Sequence, residues 1–281
     1  MFGDLHIHMI LDGVYYRAAI DAQKEHPLDG LVRARLSDYQ ARGVCLLRDG
    51  GDAWGVSLRA RELAGEYGID YRSPAFPIYR RGHYGAFIGR GFDTEDEYRA
   101  LLDEAGEKRA DFIKLMISGL IDFDHFGPEP QDIRRMIELA HAAGFAVMAH
   151  ANGDRAVTAA LQAGVDSIEH GAYLSESVLL RMAQQRTLWV PTLSTIGNLI
   201  GSGRYPDAVL RRLLAQQQEA VRFVAAHGGR IGLGSDAGAW HVMHGQAISD
   251  ELGYLTAALG PRTEPLLLEA EAYASVTFCR K

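Results

Sequence analysis

Eight short apolar runs alternate with helical segments along the 281-residue chain, and this alternation restricts the fold more than any other feature. The runs are Gly3–His8, Gly43–Leu47, Ile69–Phe76, Asp111–Ile117, Phe145–His150, Val165–His170, Leu188–Thr192 and Arg230–Asp236. Between them lie Leu28–Arg42, Trp54–Tyr67, Thr94–Lys108, Gln131–Ala143, Asp154–Ala163, Ser175–Gln185 and Pro206–His227, with a last helical region from Gly245 onward. In the longest segment Leu210, Leu213, Leu214, Val221 and Val224 fall on one stripe. Gly228-Gly229 stops it with the left-handed conformation that a helix C-terminus prefers. Strands that alternate with helices pair in parallel through right-handed crossovers. Eight such units close a barrel of about 250 residues. The predicted architecture is therefore α/β, a (β/α)8 TIM barrel forming a single domain over 1–281. A doubly wound open sheet is the rival, and it would not lay run one beside run eight.

Composition excludes several classes. With 47% hydrophobic and 23% charged residues the chain is of ordinary globular make-up. Its 29 Lys plus Arg against 36 Asp plus Glu leave a net charge of −7, which argues against nucleic acid or an anionic membrane as partner. No stretch approaches the roughly 20 apolar residues of a membrane span. The acidic start with Asp4 and Asp12 has no basic-then-apolar order, so a cytoplasmic setting is the default expectation. Cys45, in an apolar run, and Cys279, in the tail, make no disulfide framework. Two long stretches, Pro74–Phe92 and Ser118–Pro130, read as irregular and as overhanging the barrel mouth.

The residues with chemistry sit at the ends of these runs. In Asp4-Leu5-His6-Ile7-His8 an extended strand projects both histidines from one face, half of a metal chelate. Lys114 stands inside Phe112-Ile113-Lys114-Leu115-Met116, where burial depresses an amine pKa. A neutral amine there can add carbon dioxide to give a carbamate, an oxygen ligand able to bridge two metals. His150 and His170 close the fifth and sixth runs, one βα unit apart, and Asp236 closes the eighth.

The order His-x-His, Lys, His, His, Asp over strands one, four, five, six and eight resembles the amidohydrolase superfamily. Arg48-Asp49-Gly50-Gly51, Ile113-Lys114-Leu115-Met116, Ser167-Ile168-Glu169-His170-Gly171, Val190-Pro191-Thr192-Leu193 and Gly234-Ser235-Asp236-Ala237-Gly238 are similar to its imidazolonepropionase-like and prolidase-like branch, as are His244-Gly245 and Glu251-Leu252. The resemblance implies that His6, His8 and Asp236 hold one metal, that His150 and His170 hold a second, and that carboxylated Lys114 bridges them. It offers His83, with Tyr84 beside it, as a substrate contact. Asn152 stands where many relatives carry another histidine, so it bears on substrate details. Relatives usually flank the barrel with a small β-sandwich. None is evident here, so the chain is either a minimal barrel or one whose N-terminus is short.

The expected function is a metal-dependent hydrolase with two divalent ions, zinc being favoured by the imidazole-rich set. It would cleave an amide, cyclic amide or peptide C–N bond of a small molecule, with Asp236 as general base and then acid. An ester or lactone would use the same machinery. A mononuclear hydrolytic deaminase and a non-catalytic barrel are the rivals, and a homo-oligomer stays open. Tyr79, Arg80 and Arg81 could serve a substrate carboxylate but read rather as a solvated loop face, and Arg48 with Asp49 as an internal ion pair holding the barrel top.

Overall fold

The structure, a computed structural model, describes residues 2–117 and 129–279. Most of the expected irregular stretch Ser118–Pro130 lies outside the described residues. β1 (Asp4–Ile7) pairs in parallel with β2 (Leu46–Asp49), and β2 with β3 (Asp70–Arg72). β4 (Pro77–Arg80) lies between β5 (Arg90–Phe92) and β6 (Ile113–Met116). From β6 the parallel order runs through β7 (Val147–Ala151), β8 (Ser167–His170) and β9 (Leu188–Val190) to β10 (Arg230–Ile231).

Two seams turn this order into a ring. Past β10, Leu5 N donates to Leu233 O at 2.9 Å, Asp236 N to His6 O at 2.7 Å and His8 N to Ala237 O at 2.8 Å. Run one therefore lies beside run eight, which rules out the open sheet. At the second seam β3 and β4 act as one stave interrupted between Ser73 and Phe76, where Asp111 N donates to Ser73 O at 2.9 Å. Pro74 has no N–H for a ladder and Ala75 has φ +64, so the strand breaks there. This corrects the sequence expectation: Pro74–Phe92 is not one irregular connection but contains β4 and β5, each too short for a period-two pattern to register.

The helices are α1 (Tyr16–Asp21), α2 (Asp29–Ala41), α3 (Val56–Ala64), α4 (Glu95–Glu107), α5 (Pro130–Ala142), α6 (Asp154–Gln162), α7 (Glu176–Gln185), α8 (Ser194–Gly197), α9 (Asp207–Ala226), α10 (Gln246–Leu259) and α11 (Thr263–Thr277). On α9, Leu210, Val221 and Val224 are buried as the stripe requires, while Leu213 and Leu214 are only half-buried. Gln217 takes a buried place on α9 instead, its Nε2 donating to His170 O at 3.1 Å. Cys45 is exposed although its neighbours are apolar, and both cysteines are free.

Inside the ring, Leu5, Leu46, Phe112, Met148, Leu188 and Val190 form an apolar layer closed by Phe278, just beyond α11. Burying a ring such as Phe278 stabilises the fold by about 1.5–3 kcal/mol. One feature of β1 lets this layer coexist with the histidines. The partner pairs Asp4↔Leu47 and Ile7↔Asp49 are separated by one more residue on β1 than on β2, a bulge. A bulge re-aims side chains; here Leu5 joins the apolar layer while His6, next in sequence, faces the polar end.

Candidate metal centre

Above the apolar layer three nitrogens and a carboxylate converge. Asp236 Oδ1 lies 3.5 Å from His6 Nε2 and 3.4 Å from His8 Nε2. Lys114 Nζ lies 3.5 Å from His6 Nε2. His6, His8 and Asp236 each offer a ligand atom within 4.8 Å of the others, a set able to hold a metal ion. The remaining two histidines close one side: the rings of His6 and His170 are 5.1 Å apart and those of His170 and His150 4.4 Å. The six residues selected from the sequence are thus neighbours around one end of the ring, with Lys114 set deeper, as the second residue of β6.

The backbone is bent to achieve this. In β8, Ser167 and Glu169 point into the ring, so the next residue would point out; His170 has φ +64 and turns back. Asp236 has φ +60 and Thr192, whose Oγ1 lies 2.7 Å from His170 Nδ1, has φ +50. Left-handed conformations cost a residue with a Cβ on the order of 1 kcal/mol or more and cluster at sites the fold over-determines. Glycine does the complementary work at Gly50, where an added Cβ would lie 2.3 Å from His8 Cε1.

Electrostatics prepare the imidazoles as ligands. Burial pushes His6 and His170 well below the ordinary histidine range, with the nearby Lys114 charge adding to the effect. Burial, then Lys114, brings His8 down to about 3. Neutral rings keep a lone pair for a metal. Burial also lowers the Lys114 amine, against the pull of Glu169 and Asp236, and raises the Asp236 carboxyl, against the pull of Lys114. His8 Nδ1 is buried with no hydrogen-bond partner among the described residues. A buried, charge-poor cluster of nitrogen and oxygen donors with an orphaned polar atom fits a divalent cation.

Several supporting residues were not legible in advance. Glu169 Oε1 accepts from Arg48 Nη2 at 2.8 Å and Ser167 Oγ at 2.6 Å, with both charged side chains fully buried. Arg48 Nε donates to Leu5 O at 2.6 Å, and its guanidinium lies 4.3 Å from the Phe278 ring centre. Asp49, by contrast, accepts from Met9 N at 2.8 Å, Gly51 N and Tyr71 Oη at 2.5 Å. Arg48 and Asp49 therefore do not pair with each other as expected, because adjacent strand residues face opposite sides. Glu251 accepts from Leu193 N at 3.0 Å, Ser194 N at 2.7 Å and Ser194 Oγ at 2.8 Å, fixing the turn after β9.

The three substrate-contact candidates separate. Tyr84 stacks on His150 with ring centres 4.9 Å apart, and Phe87 and then Tyr16 continue the row at 5.5 and 5.7 Å. His83 shows no contact with the ligand set among the described residues; its N donates to Arg80 O at 3.1 Å. Asn152 is buried, and its Oδ1 accepts from Ala172 N at 2.8 Å, tying the loop after β7 to that after β8. Arg80 pairs with Asp132, and Arg81 with Asp93 and Glu97 at 2.7 Å each, so these cations already have carboxylates on the helical flank.

Several known proteins resemble this chain in sequence or fold. The amidohydrolase family profile matches residues 55–277. An uncharacterised protein of Mycobacterium tuberculosis is 35% identical over 230 residues, 76% of this chain and 59% of that protein. Ochratoxinase of Aspergillus niger is 29% identical over 206 residues, 69% of this chain and 41% of the ochratoxinase. The chain thus spans less than two thirds of the length of these relatives. A solved Xaa-Pro dipeptidase with bound methionine in its active site superposes with a TM-score of 0.78 at 19% identity, covering 98% of this chain and 75% of the dipeptidase, which speaks for the fold. On the ring of eight staves, the ligand-type cluster at its mouth and the extent of the profile match, the chain belongs to the amidohydrolase family.

Proposed function

We propose that the protein is a metal-dependent hydrolase that cleaves an amide, cyclic amide or peptide C–N bond of a small molecule. The observation that carries the reading is the convergence of His6, His8, Asp236 and Lys114 within 3.5 Å steps in a buried cluster. The family, which typically uses a divalent metal, supports it. In this reading His6, His8 and Asp236 would hold one ion, His150 and His170 would hold a second, and Lys114, carboxylated, would contribute oxygen ligands to the centre. Zinc suits a set of four imidazoles with carboxylate oxygens. A divalent ion bound there supplies a Lewis acid that lowers the pKa of water and polarises a carbonyl oxygen.

The chain's own residues supply the rest. Asp236, held by its backbone bond to His6 O at 2.7 Å, takes the proton from the attacking water and returns it to the leaving nitrogen. The neutral imidazoles stay available as ligands at neutral pH. Tyr84 over His150 and Asn152 between two mouth loops contact the substrate, and His83 extends the same rim. The chain acts as one domain over 1–281 in the cytoplasm. The names Xaa-Pro dipeptidase and ochratoxinase belong to the relatives, and an amide substrate is the reading they suggest here. An ester or lactone remains the second reading, since the same water and the same Asp236 would serve it.

The test is elemental analysis of zinc-supplemented protein together with a panel of dipeptides, N-acyl amino acids and lactones. The expected result is close to two ions per chain and turnover of a C–N substrate. One ion per chain with ammonia release would favour a mononuclear deaminase. No bound ion and no turnover would overturn the hydrolase reading.

A further inference from the structure

His6 is the most buried of the ligand-type histidines and has two ring nitrogens to account for. Its Nε2 faces Asp236 and Lys114. Its Nδ1 lies 2.9 Å from Glu169 Oε2. Neither of these two atoms has a hydrogen-bond partner among the described residues, because the pair approaches closely without being aligned. Buried polar atoms are almost always satisfied. At 2.9 Å each is the other's available partner.

We infer that Glu169 is a positioning residue that fixes His6 as the Nδ1–H tautomer, with its Nε2 lone pair directed at the metal centre. The inference rests on the reading of His6 as a metal ligand, and Glu169 belongs to none of the ligands assigned above. Three observations make Glu169 suited to the role. Its other oxygen is held by Arg48 Nη2 at 2.8 Å and Ser167 Oγ at 2.6 Å, so the carboxylate has little freedom to swing away. Arg48 is in turn fixed by Leu5 O at 2.6 Å and Ser167 Oγ at 2.9 Å, and it packs against Phe278. With Oε1 taken up by Arg48 and Ser167, the carboxylate presents Oε2 to the ring as an acceptor, and an acceptor can bond Nδ1 only if that nitrogen carries the proton. A carboxylate behind a ligating imidazole both orients the ring and makes it a better donor. The column Phe278–Arg48–Glu169–His6 therefore runs from the barrel floor to the metal centre.

The tautomer can be read without any metal. Long-range proton–nitrogen correlation spectra of histidine-labelled, metal-free protein, with His6 assigned by the signal lost in His6→Asn, report which nitrogen is protonated. The proton is expected on Nδ1; a proton on Nε2 in the wild type would overturn the inference. Glu169→Gln should lose this tautomer preference and weaken zinc binding by about 10–100-fold in competition with a chelator. Unchanged zinc affinity in a folded Glu169→Gln variant would equally sink it. Should the unpaired Arg48 unfold that variant, Arg48→Met with Glu169→Gln removes both charges and is read the same way. Failure of the hydrolase reading looks different: zinc would not bind the wild type, while the Nδ1–H tautomer would persist.

Discussion

At Asp236 two imidazoles face one carboxylate oxygen, and the residue carries both a ligand role and a proton-transfer role in the proposed chemistry. Asp236→Asn keeps the shape and removes the proton acceptor; turnover should fall by about 10²–10⁴ with bound metal partly retained. Near-normal turnover with metal in place would show that another group shuttles the proton. Lys114 is buried beside His6, and a bare ammonium between two dications would be strongly disfavoured. Lys114→Ala should therefore lose metal and activity together, and short carboxylic acids should restore part of both by filling the vacated bridge. A Lys114→Ala protein that stays metal-loaded and active would end the two-ion assignment. These residues were legible because each is an anomaly in its setting: a lysine amid Ile113 and Leu115, histidines closing apolar runs. Glu169 was not, although it stands beside His170, because its partner Arg48 lies 121 positions away and becomes its neighbour only once the barrel is rolled up.

Strands and their turns set the tolerances of the centre. The turn after β2 passes so close to His8 that Gly50→Ala, with its Cβ 2.3 Å from the ring, must push the ring or the loop aside. Metal affinity should drop by roughly tenfold or more on the scale of outer-contact mutations, measured by chelator competition, with the thermal midpoint nearly unchanged. On α10, burial pushes Glu251 up to about 8 from 4.5 in the open chain. The folded state thus holds this proton where the unfolded chain has released it. The stability it contributes is fully present below 4.5 and is lost as pH rises through about 8. Thermal midpoints should therefore fall more steeply between about pH 5 and pH 9 in the wild type than in Glu251→Gln. Equal slopes would mean that its three donors keep Glu251 ionised. The order of strands and helices was readable from periodicity and junction glycines. The split of the third stave and the bulge in β1 were not: a stave broken by Pro74 and one extra residue in a four-residue strand leave no periodic trace.

For the molecule as a whole, the barrel is closed at the floor by Phe278, which touches both the apolar layer and Arg48. Phe278→Ala should destabilise by about 3–5 kcal/mol in urea titration, since the ring is fully buried and its neighbours belong to rigid strands. A loss under about 1 kcal/mol would show that the floor collapses to fill the gap. The last seam has another meaning. Asp4 and Ser235 are 231 positions apart, yet Ser235 donates to both oxygens of Asp4, at 2.8 and 2.6 Å. During translation β1 emerges some 231 positions ahead of its closing neighbour, so one edge of the growing sheet stays open over that interval. An open edge invites pairing with another nascent chain. Asp4, His6 and His8 lie on or next to β1, so the edge left open in that interval is a polar one, of the kind that disfavours such pairing.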